Sequence, residues 1–384
     1  MRVAGLFAGI GGLERGLARA GHDAALLCEI EPAARAVLEA RYPDVPCPED
    51  VRTIAALPVD VDLVAAGFPC QDLSQAGRTA GIGGLRSGLV GEVFRLLEKR
   101  RAPWVVLENV PFMMQLAGGK ALDHVVSALE ALGYRWAYRV VNTLAFGLPQ
   151  RRKRVFIVAS TVADPADVLL VDDADFREPP TRLGEQAHGF YWTEGVRGLG
   201  WAADAVPTLK NGSTVGIPSP PAILLPDGRL IQPDIRDAER MQGFPADWTV
   251  AAERVARASR RWSLVGNAVS VPVAEWLGRR LATPGSYGGD RDREMPGKGW
   301  PAAARFDGRR RIAVEIGEAP VVLERPPLHE FLQYPGKPLS ERATAGFYHR
   351  ARKGSLRFPE GFLDAVAAHL DRVRGGAAVP VAAE

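Results

Sequence analysis

Cys70 follows a proline in the stretch Gly67-Phe68-Pro69-Cys70-Gln71-Asp72-Leu73-Ser74, just behind the short apolar run Val61-Asp62-Leu63-Val64-Ala65-Ala66. Such a run reads as a buried strand, so the chain leaves a sheet and at once presents a thiol. Pro69 fixes the backbone and removes a donor, and five glycines between Gly77 and Gly88 predict a segment that can move. A fixed cysteine under a mobile lid suits a nucleophile, because a thiol needs only modest activation. A lone cysteine at a strand end is more often buried and inert. The other polar residues of the chain therefore decide the reading.

Glu108 ends a second apolar run, Trp104-Val105-Val106-Leu107, and is followed by Asn109-Val110-Pro111. A carboxylate at the C-terminal end of a parallel strand sits where α/β sheets place ligand chemistry, and a half-buried one can hold and donate a proton. The run Gln150-Arg151-Arg152-Lys153-Arg154 enters the strand Val155–Ser160; alternation puts Gln150, Arg152 and Arg154 on one face. At the N-terminus, Val3-Ala4-Gly5-Leu6-Phe7 leads through Ala8-Gly9-Ile10-Gly11-Gly12 into a helix, and Glu29 ends the next strand about 20 residues on. Strand, glycine turn, helix and acidic strand end form an entry site for a nucleotide-bearing cofactor. Asp50 either caps the turn after it or meets a cofactor amine.

These residues need a scaffold. The chain has 384 residues, 47% hydrophobic and 24% charged, enough for two or three units. Its three cysteines, Cys28, Cys47 and Cys70, lack C-x-x-C spacing, which argues against a disulfide framework or a metal site and for a reducing compartment. With no leader pattern and no apolar run of membrane-spanning length, the expectation is a soluble cytoplasmic protein. The net charge of +3 and a pI near 8.8 are compatible with an anionic partner. Alternating strands and helices predict an α/β catalytic and cofactor-binding domain over 1–160. An irregular, mostly β region follows over 161–231, with a return to the first domain over 232–283. A Gly- and Pro-rich linker is expected at 284–301, then an α+β extension over 302–384 with one strand at Arg311–Ile316, one helix from about Glu360 to Val373, and a basic patch of Arg350, Arg352, Lys353 and Arg357 near Phe347 and Tyr348.

Taken in order, Phe7-Ala8-Gly9-Ile10-Gly11-Gly12, Glu29, Asp50, Gly67-Phe68-Pro69-Cys70-Gln71, Glu108-Asn109-Val110, Gln150-x-Arg152-x-Arg154, Arg240-x-Gln242-Gly243-Phe244-Pro245 and Gly266-Asn267-Ala268-Val269 resemble the motifs of the DNA cytosine C5-methyltransferases. The resemblance covers roughly 3–160 and 205–281. It implies a Rossmann-like domain dependent on S-adenosylmethionine, with S-adenosylhomocysteine as product, and a small target-recognition region between the Gln150 and Gln242 motifs. It assigns Cys70 to attack on cytosine C6 and Glu108 to N3. Arg152 is assigned to orienting the base, with Arg154 and Gln150 in support. Phe7, Gly9, Gly11, Gly12, Glu29, Ile30, Asp50, Val51, Pro69, Leu89, Asn267 and Val269 are implied for the cofactor, and Gln75, Ala76, Arg78 and Gln242 for DNA. The implied partner is double-stranded DNA, reached by flipping the base out; the enzyme partners a cognate restriction endonuclease, acts alone or serves a phage, and a nucleoid-associated monomer is expected, since the catalytic residues all come from one chain.

Other readings explain less. A tRNA methyltransferase would share the cysteine chemistry, but the Cys-Phe-Thr element of such relatives is absent. A nicotinamide dehydrogenase leaves Cys70, Glu108 and the arginine run without a task, and a non-catalytic DNA-binding module would not need Cys70 and Glu108.

Overall fold

The computed structural model describes residues 1–68, 88–212 and 219–375. They divide into two compact units, each assembled from separate stretches of chain. The first comprises Met1–Ala145, Lys153–Phe176 and Val269–Val322; the second comprises Phe146–Arg152, Arg177–Ala268 and Leu323–Glu384. Among the described residues no helix is long and apolar enough to cross a membrane.

The first unit is built on strands β1 (Arg2–Leu6), β2 (Asp23–Cys28), β3 (Leu63–Gly67), β4 (Trp104–Asn109) and β5 (Arg135–Asn142); after the two-residue strand β6 (Gln150–Arg151) of the other unit comes β7 (Lys153–Ser160). Its sheet has the order Asp292–Arg293, Arg311–Val314, Ala303–Phe306, β5, β7, β4, β3, β1, β2. The pairs β1–β2, β1–β3 and β3–β4 are parallel, and β7 runs antiparallel to both β4 and β5. Parallel strands are covered on both faces, which is why they read as continuous apolar runs: Leu63 through Ala66 and Val105 through Leu107 are all fully buried. Helices Gly12–Arg19, Pro32–Arg41 and Leu89–Lys99 make the crossovers. Leu89–Lys99 buries Val90, Val93, Phe94, Leu96 and Leu97, while Pro32 opens its helix at the one turn that tolerates a missing donor.

The chain passes from β1 outward to β2, then back to β3 on the other side, so the strand order reverses between β1 and β3. Ligands of open α/β sheets bind at the carboxyl ends of strands beside such a reversal. Leu6 stands opposite both Cys28 and Ala66, and Gly67 opposite Glu108. Phe7, Glu29, Phe68 and Asn109 therefore emerge at one edge.

The second unit holds β8 (His188–Phe190), β9 (Trp201–Ala203), β10 (Val206–Pro207), β11 (Ala222–Leu224) and β12 (Leu230–Gln232). With Lys337–Pro338 they form an antiparallel sheet in the order Lys337–Pro338, β12, β11, β8, β9, while β10 pairs with β6. The small, mostly β region expected from the sequence is thus present, but it does not close its own core. Phe190, Ala222, Leu224 and Leu230 are sealed by Phe347 and Ala351 of helix Glu341–Lys353 and by Phe362 and Val366 of helix Phe362–Arg374. The Phe190 ring lies 4.5 Å from Phe347 and meets Phe362 edge-on at 5.4 Å.

The last hundred residues are organised differently from the expectation. The stretch 284–301 contains a strand, Asp292–Arg293, and the strands Ala303–Phe306 and Arg311–Val314 extend the large sheet beyond β5. From Leu323 on, the described chain belongs to the second unit and carries two long helices where one was expected. Helix Glu341–Lys353 escapes a search for apolar periodicity because it buries only Thr344, Phe347 and Ala351; its local signal is Ser340, whose side chain caps the Ala343 N–H.

Removing the ring that fills this core tests the arrangement. Phe347→Ala is expected to cost about 3–5 kcal/mol and to strip hydrogen-exchange protection from β8 and β11 while β1, β3 and β4 keep theirs. Unchanged protection in β8 and β11 would contradict the shared core.

Candidate active site

Glu108, the penultimate residue of β4, is 8% exposed, and its carboxylate oxygen Oε1 lies 3.0 Å from Nε of Arg154. A Cβ placed at Gly67, directly opposite on β3, would stand 3.4 Å from Oε2, so the glycine keeps the space beside the carboxylate open. Asn109 is buried and spends both ends of its amide: Nδ2 donates to the Phe68 carbonyl at 3.0 Å, and Oδ1 accepts from the Val110 N–H at 2.8 Å. The end of the strand that leads to Pro69-Cys70 is thereby tied to the end of the strand that carries Glu108. In the sequence Asn109 stands out only as part of a motif, yet a polar residue ending a buried strand has to find partners there. Pro69, Cys70, Gln75, Ala76 and Arg78 lie outside the described residues. The two described cysteines are poor nucleophiles, since burial first, and neighbouring negative charge second, pushes the Cys28 thiol up to about 12 and the Cys47 thiol up to about 11.

At the neighbouring strand ends, Phe7 adopts a left-handed φ of 55°, rare for a non-glycine residue, followed by Gly9 at 57° and Gly11 at 83°. The Glu29 carboxylate accepts the Gly9 N–H at 2.7 Å through Oε2 and the Glu31 N–H at 2.8 Å through Oε1, so it clamps the glycine turn onto the end of β2. Burial raises its pKa against the lowering effect of these bonds. Ile30 beside it is 53% exposed. A Cβ at Gly12 would fall 2.3 Å from the Val269 carbonyl oxygen, so the first helix can approach Val269 only through a glycine. Asp50 caps the turn Val51–Thr53, accepting from the Arg52 N–H at 2.9 Å, and pairs with the Arg52 guanidinium. Val51, expected at the cofactor, packs its side chain into the core at 3% exposed, and Leu89 opens the helix Leu89–Lys99.

The remaining expected residues lie in the second unit, where three of them, Gln150, Arg152 and Gln242, bond to backbone. Gln150 is fully buried, donating to the Met241 carbonyl and accepting from the Leu209 N–H, both at 3.0 Å. Arg152, 1% exposed, donates to the carbonyls of Leu209, Gly266 and Ala268 at 3.1, 3.1 and 2.7 Å. Gln242, expected to face DNA, is instead fully buried, its amide donating to the Val265 carbonyl at 2.9 Å. Asn267 ends helix Arg260–Asn267 and is exposed. Arg154 thus holds Glu108, while Arg152 bonds to backbone carbonyls. The ladder breaks at Arg152, between β6 and β7, so strand alternation does not carry through it.

The chain is similar to known proteins. Residues 1–188 match the family model described as C-5 cytosine-specific DNA methylase. The type II methyltransferase M2.BsuMI of Bacillus subtilis is 46% identical over 385 residues, covering 97% of this chain and 99% of the relative. The chain belongs to the C-5 cytosine-specific DNA methylases. It is an enzyme of the DNA cytosine methyltransferase class. M.MspI of Moraxella is 25% identical over 72% of this chain and 69% of its own length. The Dnmt2 methyltransferase of S. pombe shares the α/β fold, with a TM-score of 0.54 and 16% identity over 73% of this chain and 98% of that one.

One buried group of this methylase has no counterpart among the expected site residues. Glu14 lies three residues before Leu17 in helix Gly12–Arg19, a position whose spacing puts it on the inward face. It is 3% exposed, and neither carboxylate oxygen has a hydrogen-bond partner among the described residues. A Cβ at Gly5 of β1 would meet its Oε1 at 2.3 Å, so the strand needs a glycine to pass it. Burial, with the charge of Glu29 as a smaller contribution, raises its pKa from 4.5 to about 8. Between those two values the folded state keeps a proton that the unfolded state releases, so stability falls as pH rises through that window. Glu14→Gln should flatten this dependence. Urea midpoints at about pH 5.5 and 8.5 are expected to drop for the wild type and to hold for the variant; equal slopes would contradict a protonated Glu14.

Proposed function

We propose that this methylase transfers the methyl of S-adenosylmethionine to C5 of a cytosine flipped out of double-stranded DNA, through a covalent bond between Cys70 and C6. The observation that carries the reading is the pairing of Gly67 with Glu108 across β3 and β4, with Arg154 on the Glu108 carboxylate and Asn109 on the Phe68 carbonyl. It sets an oriented carboxyl group opposite Gly67, three residues before the cysteine in the chain.

The residues at the switch point fit the cofactor. A Cβ at Gly9 would meet no atom within 4 Å, so the backbone there is open to a ligand, and the exposed Ile30 offers an apolar surface next to Glu29. Each carboxylate oxygen has two acceptor positions, so Glu29 can receive a ribose hydroxyl while keeping its bonds to the Gly9 and Glu31 amides. Phe7, Gly9, Gly11, Gly12, Glu29, Ile30, Asp50 and Val269, all of the first unit, are the proposed binding set. When bound, S-adenosylmethionine supplies an electrophilic methyl group.

The chain's own residues prepare the base. The Cys70 thiolate forms a bond to C6, which pushes the ring electrons toward C5. Glu108 holds a proton at N3, so that the negative charge of the adduct is neutralised as it develops. Arg154 fixes the rotamer of Glu108. After C5 carries the methyl, its hydrogen leaves as a proton to water or a base, the electron pair reforms the C5–C6 double bond, and the Cys70 sulfur departs. The β8–β12 unit is the proposed target-recognition region, acting in a monomer that partners a restriction endonuclease of the same specificity.

Expression in a methylation-free host followed by bisulfite sequencing tests this. The wild type is expected to protect cytosines in one short sequence context, and Cys70→Ser to reduce protection to background. Protection that survives Cys70→Ser, or a soluble wild type that protects no DNA, would overturn the proposal.

A further inference from the structure

Helix Glu341–Lys353 and the turn after it carry Arg342, Arg350, Arg352, Lys353 and Arg357, with no acidic residue between 342 and 357. At about 100° per residue, Arg342, His349 and Lys353 form one stripe, opposite the buried Thr344, Phe347 and Ala351. Arg342, His349, Lys353 and Arg357 are all exposed. Elsewhere in the chain, cations of similar density find carboxylates: Arg311 pairs with Asp123 and Glu130, and Arg305 with Asp292. Among the described residues, Arg342, Lys353 and Arg357 have no such pair.

The segment is also held in place. Arg350 donates to the Trp192 carbonyl at 2.5 Å, and Gly346 makes room for it, since a Cβ there would lie 3.2 Å from the guanidinium. The Trp201 indole donates to the Arg357 carbonyl at 2.9 Å, and Gly354 packs against Leu199 and Val196. These contacts fasten the basic turn to the loop between β8 and β9, which adds the exposed Arg197. Helix stability accounts for only part of the pattern. Cations in the last turn favour the helix dipole, but Arg342 sits in the first turn, where a positive charge is unfavourable.

We infer that Arg342, Lys353, Arg357 and Arg197 form a phosphate-binding face that grips the DNA backbone flanking the methylated site, making the C-terminal helices part of the DNA-binding surface. This rests on the reading that duplex DNA is the substrate. Phosphate contacts add affinity without sequence information, so the face sets binding strength and salt dependence and leaves the methylated context unchanged.

The test compares wild type with the triple variant Arg342→Ala, Lys353→Ala, Arg357→Ala on a duplex of about 30 base pairs containing the protected context, by fluorescence anisotropy across a salt series. The slope of log K against log salt is expected to shrink by about 2–3, at roughly 0.9 for each phosphate no longer neutralised, with DNA affinity at fixed salt down at least tenfold. S-adenosylmethionine binding, melting temperature and methylated context should stay as in the wild type. The variant Arg342→Lys, Arg357→Lys should retain the wild-type slope. An unchanged slope in the triple variant, with the wild type binding DNA, would overturn this inference and leave a solvated charged face. A wild type that neither binds nor methylates the duplex would instead overturn the substrate reading on which it stands.

Discussion

The constraint on which the site depends is the common ending of four parallel strands. Backbone groups inside a buried sheet must all be paired, and the pairing that sets Leu6 opposite Cys28 and Ala66, and Gly67 opposite Glu108, also sets where β1, β2, β3 and β4 stop. A carboxylate at such an ending is buried at the rim of the core, as Glu29 and Glu108 are, and burying it without a partner would cost several kcal/mol. Glu29 meets backbone amides and Glu108 meets a guanidinium. The first arrangement shapes the glycine turn; the second orients a carboxyl group beside the strand that leads to Cys70.

In the second unit the same requirement acts on residues whose types suggest chemistry but whose bonds are to backbone. Gln150, Arg152 and Gln242 are buried, and together they hold the carbonyls of Leu209, Met241, Val265, Gly266 and Ala268. Asp204 and Asp237 do the converse, accepting from the amides of Leu328, Gln333 and Tyr334. The tail is thus bonded into the unit before its two helices reach the core of the β8–β12 sheet.

Much of the first unit was legible in the sequence. Strands buried on both faces leave unbroken apolar runs, and acids at their ends stand out, so β1, β3, β4, Glu29 and Glu108 could be read directly. Partners were harder. Side-chain alternation puts Arg152 and Arg154 on one face, but the chain leaves the ladder at Arg152, and no residue spacing reports that. Gln242 is assigned to DNA by resemblance alone, and its carbonyl partner Val265, more than twenty residues away, is brought to it only by folding. Helix Glu341–Lys353 stayed hidden because three buried residues suffice where the opposing sheet supplies the rest of the core.

The most direct test of the account is to trap the bond it requires. A duplex with 5-fluorocytosine at the target position is incubated with the wild-type enzyme and S-adenosylmethionine, and the product is digested and mapped by mass spectrometry. Fluorine cannot leave C5 as a cation, so elimination stalls after methyl transfer. The account predicts a denaturation-resistant protein–DNA complex whose linked peptide contains Cys70, forming far more slowly with Glu108→Gln. Methylation of an ordinary cytosine duplex with no trapped complex on the fluorinated one, or a link through a different residue, would contradict it.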